Sequence, residues 1–135
     1  MNAPTHWQEA QEALSACCPV MRRLIEQAGP VVLQARGDPY QTLARSIVGQ
    51  QISVKAAASV WARFEQACRG KVEPLKVSRM RKSSLRKCGF SERKSEYIKD
   101  LSLRFVDGSL EPSGWTALDD EAVIAKLIQV RGIGR

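Results

Sequence analysis

Apolar residues recur every three or four positions along most of this sequence, and no long stretch alternates between apolar and polar residues. The pattern is clearest after Ser53, where the apolar positions are Val54, Ala57, Val60, Trp61, Phe64 and Cys68. Such spacing places side chains on one face of an α-helix, whereas a half-buried strand requires strict alternation. The sequence therefore predicts an all-α fold, which we treat as a single all-helical domain over residues 1–135.

Residue types that favour helix ends divide the pattern into six or so short helices. The first lies in the N-terminal segment 1–18, and the second begins with Pro19 at its first position. Later helices are predicted to start at residues whose side chains can cap a helix: Asp38, Ser53, Ser78, Ser91 and Asp119. The helix from Ser78 is basic and is expected to stop at Gly89. Residues 31–33 are the one candidate for a short extended segment.

Composition excludes several classes of protein. No apolar run approaches the ~20 residues of a membrane-spanning helix, and residues 1–7 lack the features of a secretory signal, so we expect a cytoplasmic protein without membrane contact. The cysteines match no zinc or iron–sulfur spacing, and we expect free buried thiols at Cys17, Cys18, Cys68 and Cys88. With His6 as its single histidine, the chain is expected to contain neither a metal site nor a histidine-based catalytic relay.

The positive charge is concentrated in one segment. Between Lys71 and Arg104 there are 11 basic and 4 acidic residues, and the remainder has 10 of each, so this segment accounts for the whole net charge of +7. Lysine and arginine displace counterions from phosphates, which favours a polyanionic partner. A solvated helical face remains the alternative explanation.

The C-terminal run is a helix that leads into a Gly-x-Gly turn. Glycines at 132 and 134 permit backbone angles closed to other residues, and consecutive amides in such a turn can point outward and hold an anion. Residues 119–135 therefore resemble the first half of a helix-hairpin-helix unit, which grips a DNA phosphate without reading sequence. A plain helix end is the alternative. No strand precedes the turn, which argues against a dinucleotide site.

Two internal segments carry a stronger resemblance. The run DPYQTLARSIVGQQISVKAA at 38–57 and the run LRKCGFSERK at 85–94 are similar to bacterial 3-methyladenine DNA glycosylase II, and the similarity extends to Gly132–Arg135. The resemblance covers roughly residues 19 to 135. It implies an all-α helix-hairpin-helix body that binds DNA in a cleft, flips a damaged nucleotide out of the stack and hydrolyses its N-glycosidic bond.

The resemblance also assigns roles to residues. Gln51 matches the wedge that fills the gap left by the flipped base, and Gln50 is expected to face the same DNA; helix-end capping is the alternative for both. The residues expected to contact DNA are Gln50, Gln51, Ser53, Lys55, Arg131, Gly132, Ile133, Gly134 and Arg135. The family's hairpin holds a monovalent cation, Na⁺ or K⁺, on backbone carbonyls, and the matching carbonyls belong to Ile128, Val130 and Ile133.

One departure from the family pattern concerns catalysis. In the family, the hairpin leads into a Trp-Thr-Ala helix that lines the base pocket, and the catalytic aspartate follows later. This sequence ends at Arg135, so we expect the aspartate to lie beyond it, the fold to be incomplete and the 135-residue chain to be inactive alone. Asp119 and Asp120 fit a helix cap better than a catalytic pair.

The expected function is therefore excision of alkylated purines from double-stranded DNA with damaged bases, with no protein partner implied. A non-catalytic helix-hairpin-helix module that only binds DNA is one alternative. An oxidised-base glycosylase of the endonuclease III type is another, although that group usually carries a four-cysteine iron–sulfur loop after the hairpin.

Overall fold

The computed structural model describes residues 4–34 and 37–135, and every regular element within them is helical. The predicted all-α class is confirmed. The chain forms two compact units, Met1–Gly37 and Asp38–Arg135. The proposed domain boundaries over residues 1–135 stay a prediction. Within the described residues, no helix is long and apolar enough to cross a membrane.

The first unit is a pair of helices, α1 (Trp7–Cys17) and α2 (Pro19–Ala28). Pro19 occupies the first turn of α2, as predicted. Its fixed φ suits that position, and a backbone N–H there would have no helical partner, so proline loses no hydrogen bond. The Trp7 indole Nε1 donates to the Val31 carbonyl at 2.9 Å. Residues 31–33, the candidate extended segment, form no strand.

The second unit contains the remaining elements. In chain order these are α3 (Pro39–Gly49), α4 (Val54–Ala67), α5 (Pro74–Arg79), α6 (Lys82–Lys87), α7 (Glu92–Val106), a 3₁₀ helix (Pro112–Ala117) and α8 (Asp120–Leu127). The predicted capping side chains of α3, α4, α7 and α8 each accept a backbone N–H of the first helical turn; these caps are Asp38, Ser53, Ser91 and Asp119. This confirms both the cap positions and the capping of α8 by Asp119.

The prediction of one basic helix starting at Ser78 is wrong. Ser78 lies inside α5, which starts at Pro74, and an extended backbone at Met80 and Arg81 separates α5 from α6. The break is stabilised by Lys99, whose Nζ binds the carbonyls of Ser78 and Met80 at 2.9 and 2.6 Å. A tertiary contact therefore ends α5, and the local sequence pattern does not reveal it.

The core of the second unit lies around α7, which packs against α3, α5 and α6. Ile98 and Leu101 of α7 are fully buried beside Ile47 of α3 in the same apolar cluster. Buried Ser102 donates to the Ile98 carbonyl at 2.6 Å and shares a 2.8 Å hydrogen bond with the Tyr40 hydroxyl. The buried hydroxyl groups of Tyr40 and Ser102 are therefore both hydrogen-bonded, as is usual for buried polar groups.

The prediction of four buried thiols holds for two, and Cys18 is only partly buried. Cys68 and Cys88 are buried, whereas Cys17 is exposed on the short helix α1, which has no buried residue. Burial raises the pKa of Cys68 to about 11 and also raises the pKa of Cys88. Both thiols are therefore protonated near neutral pH, and a thiol must ionise before it reacts.

Iodoacetamide at pH 8 is expected to alkylate Cys17 in the folded chain while leaving Cys68 and Cys88 unmodified. Peptide mass spectrometry after a short exposure checks this, and the same exposure in concentrated urea should label all of these residues. Rapid labelling of Cys68 or Cys88 without denaturant would contradict the described packing.

Candidate nucleic-acid interface

The C-terminal turn follows α8 and packs on α7. Val130 is buried, and Gly132 has a φ of +90°. A Cβ atom at Gly132 would lie 2.7 Å from Cε2 of Tyr97 and closer still to other atoms of the ring. Only glycine satisfies both this backbone angle and this approach, so Gly132 lets the turn lie directly against α7. Gly134 has open space around its Cα.

The amides of this turn are only partly available to a ligand. The Arg131 N–H donates to Oδ2 of Asp100 at 2.8 Å, and the Ile133 N–H donates to the Val130 carbonyl at 3.1 Å. The N–H groups of Gly132 and Gly134 make no hydrogen bond to another residue that the structure describes. Every second amide of the turn is therefore available to a ligand, whereas the sequence analysis predicted consecutive available amides. Phosphate binding by this turn stays a prediction.

The second predicted contact, the turn after α3, carries Gln51. Its φ is +57°, a left-handed angle that residues with a Cβ rarely adopt, and its side chain is exposed. Ser53 caps α4 by accepting the Ala56 N–H at 3.1 Å, and Lys55 is exposed in the first turn of that helix. We name residues 50–53 the Gln51 turn. Strained backbone that exposes a polar side chain is frequent at functional sites.

Lys94 of α7 binds the backbone where α3 meets the Gln51 turn. Its Nζ donates to the carbonyls of Val48 and Gln50 at 2.8 and 2.6 Å, the carbonyls that the end of α3 leaves without helical partners. Partial burial lowers the pKa of Lys94 because the charged form loses hydration. Lys94 thus fixes where α3 ends and how the turn leaves it.

Gln50 joins the two predicted DNA-contacting segments. Its side-chain Nε2 donates to the Gly132 carbonyl at 2.8 Å, across 82 positions of sequence. An open cavity of about 170 Å³ lies beside this contact and is lined by Gln50, Gln51, Ser91, Arg93, Lys94 and Tyr97. The structure therefore places the Gln51 turn next to the C-terminal turn. A single DNA-binding surface that includes both turns requires this placement.

Both arginines of the C-terminal turn pair with carboxylates. Arg131 Nη2 lies 3.2 Å from Glu96 Oε2, and Arg135 Nη2 lies 2.6 Å from Glu121 Oε2. The pKa of Glu96 is lowered, first by its hydrogen bond and charge interaction with Lys82 and then by Arg131. Both arginines and Glu121 are solvent-exposed, whereas Glu96 is partly buried. Exposed pairs such as Arg135 with Glu121 are weak enough to give way to a phosphate.

The predicted cation ligands differ in availability. The Val130 carbonyl already accepts the Ile133 N–H, whereas the carbonyls of Ile128 and Ile133 accept no hydrogen bond from another described residue. Two of the three carbonyls are therefore open to a ligand, and the monovalent cation at this turn stays a prediction. No group of three or more His, Cys, Asp or Glu side chains suited to a metal occurs within 4–34 and 37–135.

Sequence reasoning missed three residues that build this surface. Lys94, Tyr97 and Asp100 hold the Gln51 turn, Gly132 and the Arg131 N–H respectively. Their spacing of three along α7 was a usable signal, because residues three or four apart share one side of a helix. The sequence alone did not reveal which turns that side would meet.

Comparison with known proteins identifies the family of this chain. The pattern of the HhH-GPD superfamily of base excision DNA repair proteins matches residues 44–134. DNA-3-methyladenine glycosylase 1 of Schizosaccharomyces pombe is 30% identical over 138 residues, covering 97% of this chain and 60% of its own.

Two solved structures have the same fold. A DNA-3-methyladenine glycosidase from Bacillus halodurans is 32% identical with a TM-score of 0.81, over 99% of this chain and 62% of that one. A 3-methyladenine DNA glycosylase of Schizosaccharomyces pombe, solved in complex with abasic DNA, is 29% identical with a TM-score of 0.82, over 94% of this chain and 65% of that one. The chain thus spans less than two thirds of each, and it belongs to the HhH-GPD superfamily of base excision DNA repair proteins.

Proposed function

We propose that this chain is part of a DNA glycosylase that removes alkylated purines of the 3-methyladenine type from double-stranded DNA. The observation that carries the proposal is the 2.8 Å contact between Gln50 and Gly132, because it sets the Gln51 turn beside the C-terminal turn. The names of the relatives and the abasic DNA in one solved relative support the substrate and the partner.

In this proposal the two turns have different tasks. The open amides of Gly132 and Gly134 bind a phosphate, with Arg131 and Arg135 adding charge near it. Such contacts hold the duplex without reading its sequence. Gln51 fills the space that a flipped nucleotide leaves in the stack, while Ser53 and Lys55 contact the strand beside it.

Cleavage of an N-glycosidic bond develops positive charge on the sugar, which a carboxylate stabilises. An alkylated purine such as 3-methyladenine is already cationic and therefore leaves readily. We assign no such role to Asp100 or Glu96, because hydrogen bonds to Arg131 already hold both carboxylates. The proposal needs no zinc, nucleotide or redox cofactor.

A monovalent cation, Na⁺ or K⁺, belongs to the same proposal. The open carbonyls of Ile128 and Ile133 would hold it, and the family resemblance names the Val130 carbonyl as the third ligand. Bound there, the ion would add positive charge next to the phosphate. A cytoplasmic location, where the enzyme meets chromosomal DNA, is also proposed.

Binding and base release test the proposal in turn. The 135-residue chain is expected to bind a duplex with a tetrahydrofuran abasic analogue more tightly than the intact duplex, and both affinities should fall as salt rises. Joined to the C-terminal part of the Bacillus halodurans relative, it is expected to release 3-methyladenine from methylated duplex DNA.

Each outcome separates the candidates. Equal affinity for abasic and intact duplex, with no release by the joined protein, would favour a non-catalytic DNA-binding module. Release of oxidised pyrimidines in place of 3-methyladenine would favour the endonuclease III type.

A further inference from the structure

We propose that Gln50 is a positioning residue: its side chain ties the Gln51 turn to the C-terminal turn and so sets where Gln51 lies relative to the DNA backbone that the hairpin binds. This inference rests on the proposed function and extends it to a residue that acts through its neighbour. It also replaces the direct DNA contact that the sequence suggested for Gln50.

The geometry of the Gln50 side chain carries this inference. Nε2 donates to the Gly132 carbonyl at 2.8 Å, and the side chain is partly buried, whereas that of Gln51 is exposed. Among the described residues, this is the one hydrogen bond between residues 50–53 and residues 128–135. The donating amide is therefore engaged with protein, and the adjacent glutamine alone is directed to solvent.

Helix α7 makes the two turns a closed ring of contacts. Lys94 Nζ binds the Gln50 carbonyl at 2.6 Å on one side. On the other side Asp100 accepts the Arg131 N–H at 2.8 Å, and Tyr97 lies against Gly132. Both turns are thus fixed to α7 at separate points, and the Gln50 amide closes the ring where they face each other. Loss of that bond leaves both turns anchored, so only their relative placement is affected.

The bond to the Gly132 carbonyl requires a hydrogen-bond donor at position 50, so variants that remove only the donor test the inference. Gln50→Met keeps the length of the side chain but removes the amide, and Gln50→Glu keeps the shape but offers only acceptors to a carbonyl. Gln51→Ala removes the wedge itself. The double variant Gln50→Met with Gln51→Ala tests whether Gln50 acts through Gln51, since residues that act as one unit are not additive.

The experiment measures the affinity of the full 135-residue chain for matched duplexes, one with a tetrahydrofuran site and one intact. Both carry 2-aminopurine beside that position as a fluorescent report of unstacking. Gln50→Met is expected to reduce the preference for the abasic duplex about three- to tenfold, the effect of one hydrogen bond. Affinity for the intact duplex should change less than about twofold, because the phosphate-binding amides remain. The double variant should lose no more abasic preference than Gln51→Ala. The 2-aminopurine fluorescence of the bound duplex should fall by the same amount for Gln50→Met, Gln51→Ala and the double variant.

The possible outcomes are distinct. Wild-type chain without any abasic preference would overturn the proposed function, and this inference with it. Wild-type preference that Gln50→Met and Gln50→Glu leave intact would overturn the inference alone. Additive losses in the double variant would also overturn it, since they would show that Gln50 contacts DNA independently or acts on overall stability. A fall in melting temperature with the abasic preference retained would assign Gln50 a merely structural role.

Discussion

Gly132→Ala is expected to lower the free energy of unfolding by about 3 kcal/mol, because left-handed backbone costs a residue with a Cβ roughly 1–2 kcal/mol and the overlap with Tyr97 adds a similar amount. The added Cβ would lie 2.7 Å or less from three ring atoms of Tyr97, which is too close without displacement of the turn. Urea denaturation followed by circular dichroism measures the change. DNA affinity should fall as well, since the displaced turn carries the amides that we propose bind a phosphate.

Gly134→Ala is the matched control. Gly134 lies two residues away in the same turn, has no positive φ and would hold an added Cβ in open space, with nothing within 4 Å beyond its chain neighbours. Its effect on stability should therefore stay within about 0.5 kcal/mol, as is usual for open surface positions. Equal destabilisation by the two substitutions would contradict the described packing of the turn on α7.

Gln51→Gly is expected to separate stability from function. Left-handed backbone costs Gln51 roughly 1–2 kcal/mol, and the greater freedom of glycine in the unfolded chain offsets about 0.5–1 kcal/mol of the relief, so the variant should be up to about 1.5 kcal/mol more stable. The preference for an abasic duplex should nevertheless fall about tenfold, or ~1.4 kcal/mol, because glycine lacks the side chain that we propose fills the gap. Thermal melting and duplex titration measure the two effects.

Arg69→Gly provides the control for backbone relief. Arg69 has a φ of +53°, close to that of Gln51, and is exposed at the end of α4. Its replacement should give a similar gain in stability without changing the ratio of abasic to intact affinity. A fall in that ratio for Arg69→Gly equal to that for Gln51→Gly would show that the effect does not depend on the wedge.

Local sequence signals predicted much of the helical architecture for identifiable reasons. Asp38, Ser53, Ser91 and Asp119 cap helices through bonds to residues three positions later, so the signal and its partner lie in the same short window. The failure at Ser78 has the opposite cause. The end of α5 depends on Lys99, some 20 residues away, and no local pattern contains that contact.

The candidate site divides in the same way. Gln51 was predicted from the family resemblance, and the glycines of the C-terminal turn were predicted from a short motif, because a Gly-x-Gly turn depends on backbone conformation near it in sequence. Lys94, Tyr97 and Asp100 were not, since each acts on a turn that the fold brings to α7. The same limit applies to Gln50, whose partner Gly132 is 82 positions away.

The most direct test of a shared DNA surface is an NMR titration of the chain with the abasic duplex. The backbone amides of Gly132 and Gly134 and the side-chain amide of Gln51 are predicted to shift together and to saturate at the same duplex concentration. Shifts confined to the basic residues of α5 and α6, with these three groups unchanged, would contradict the account.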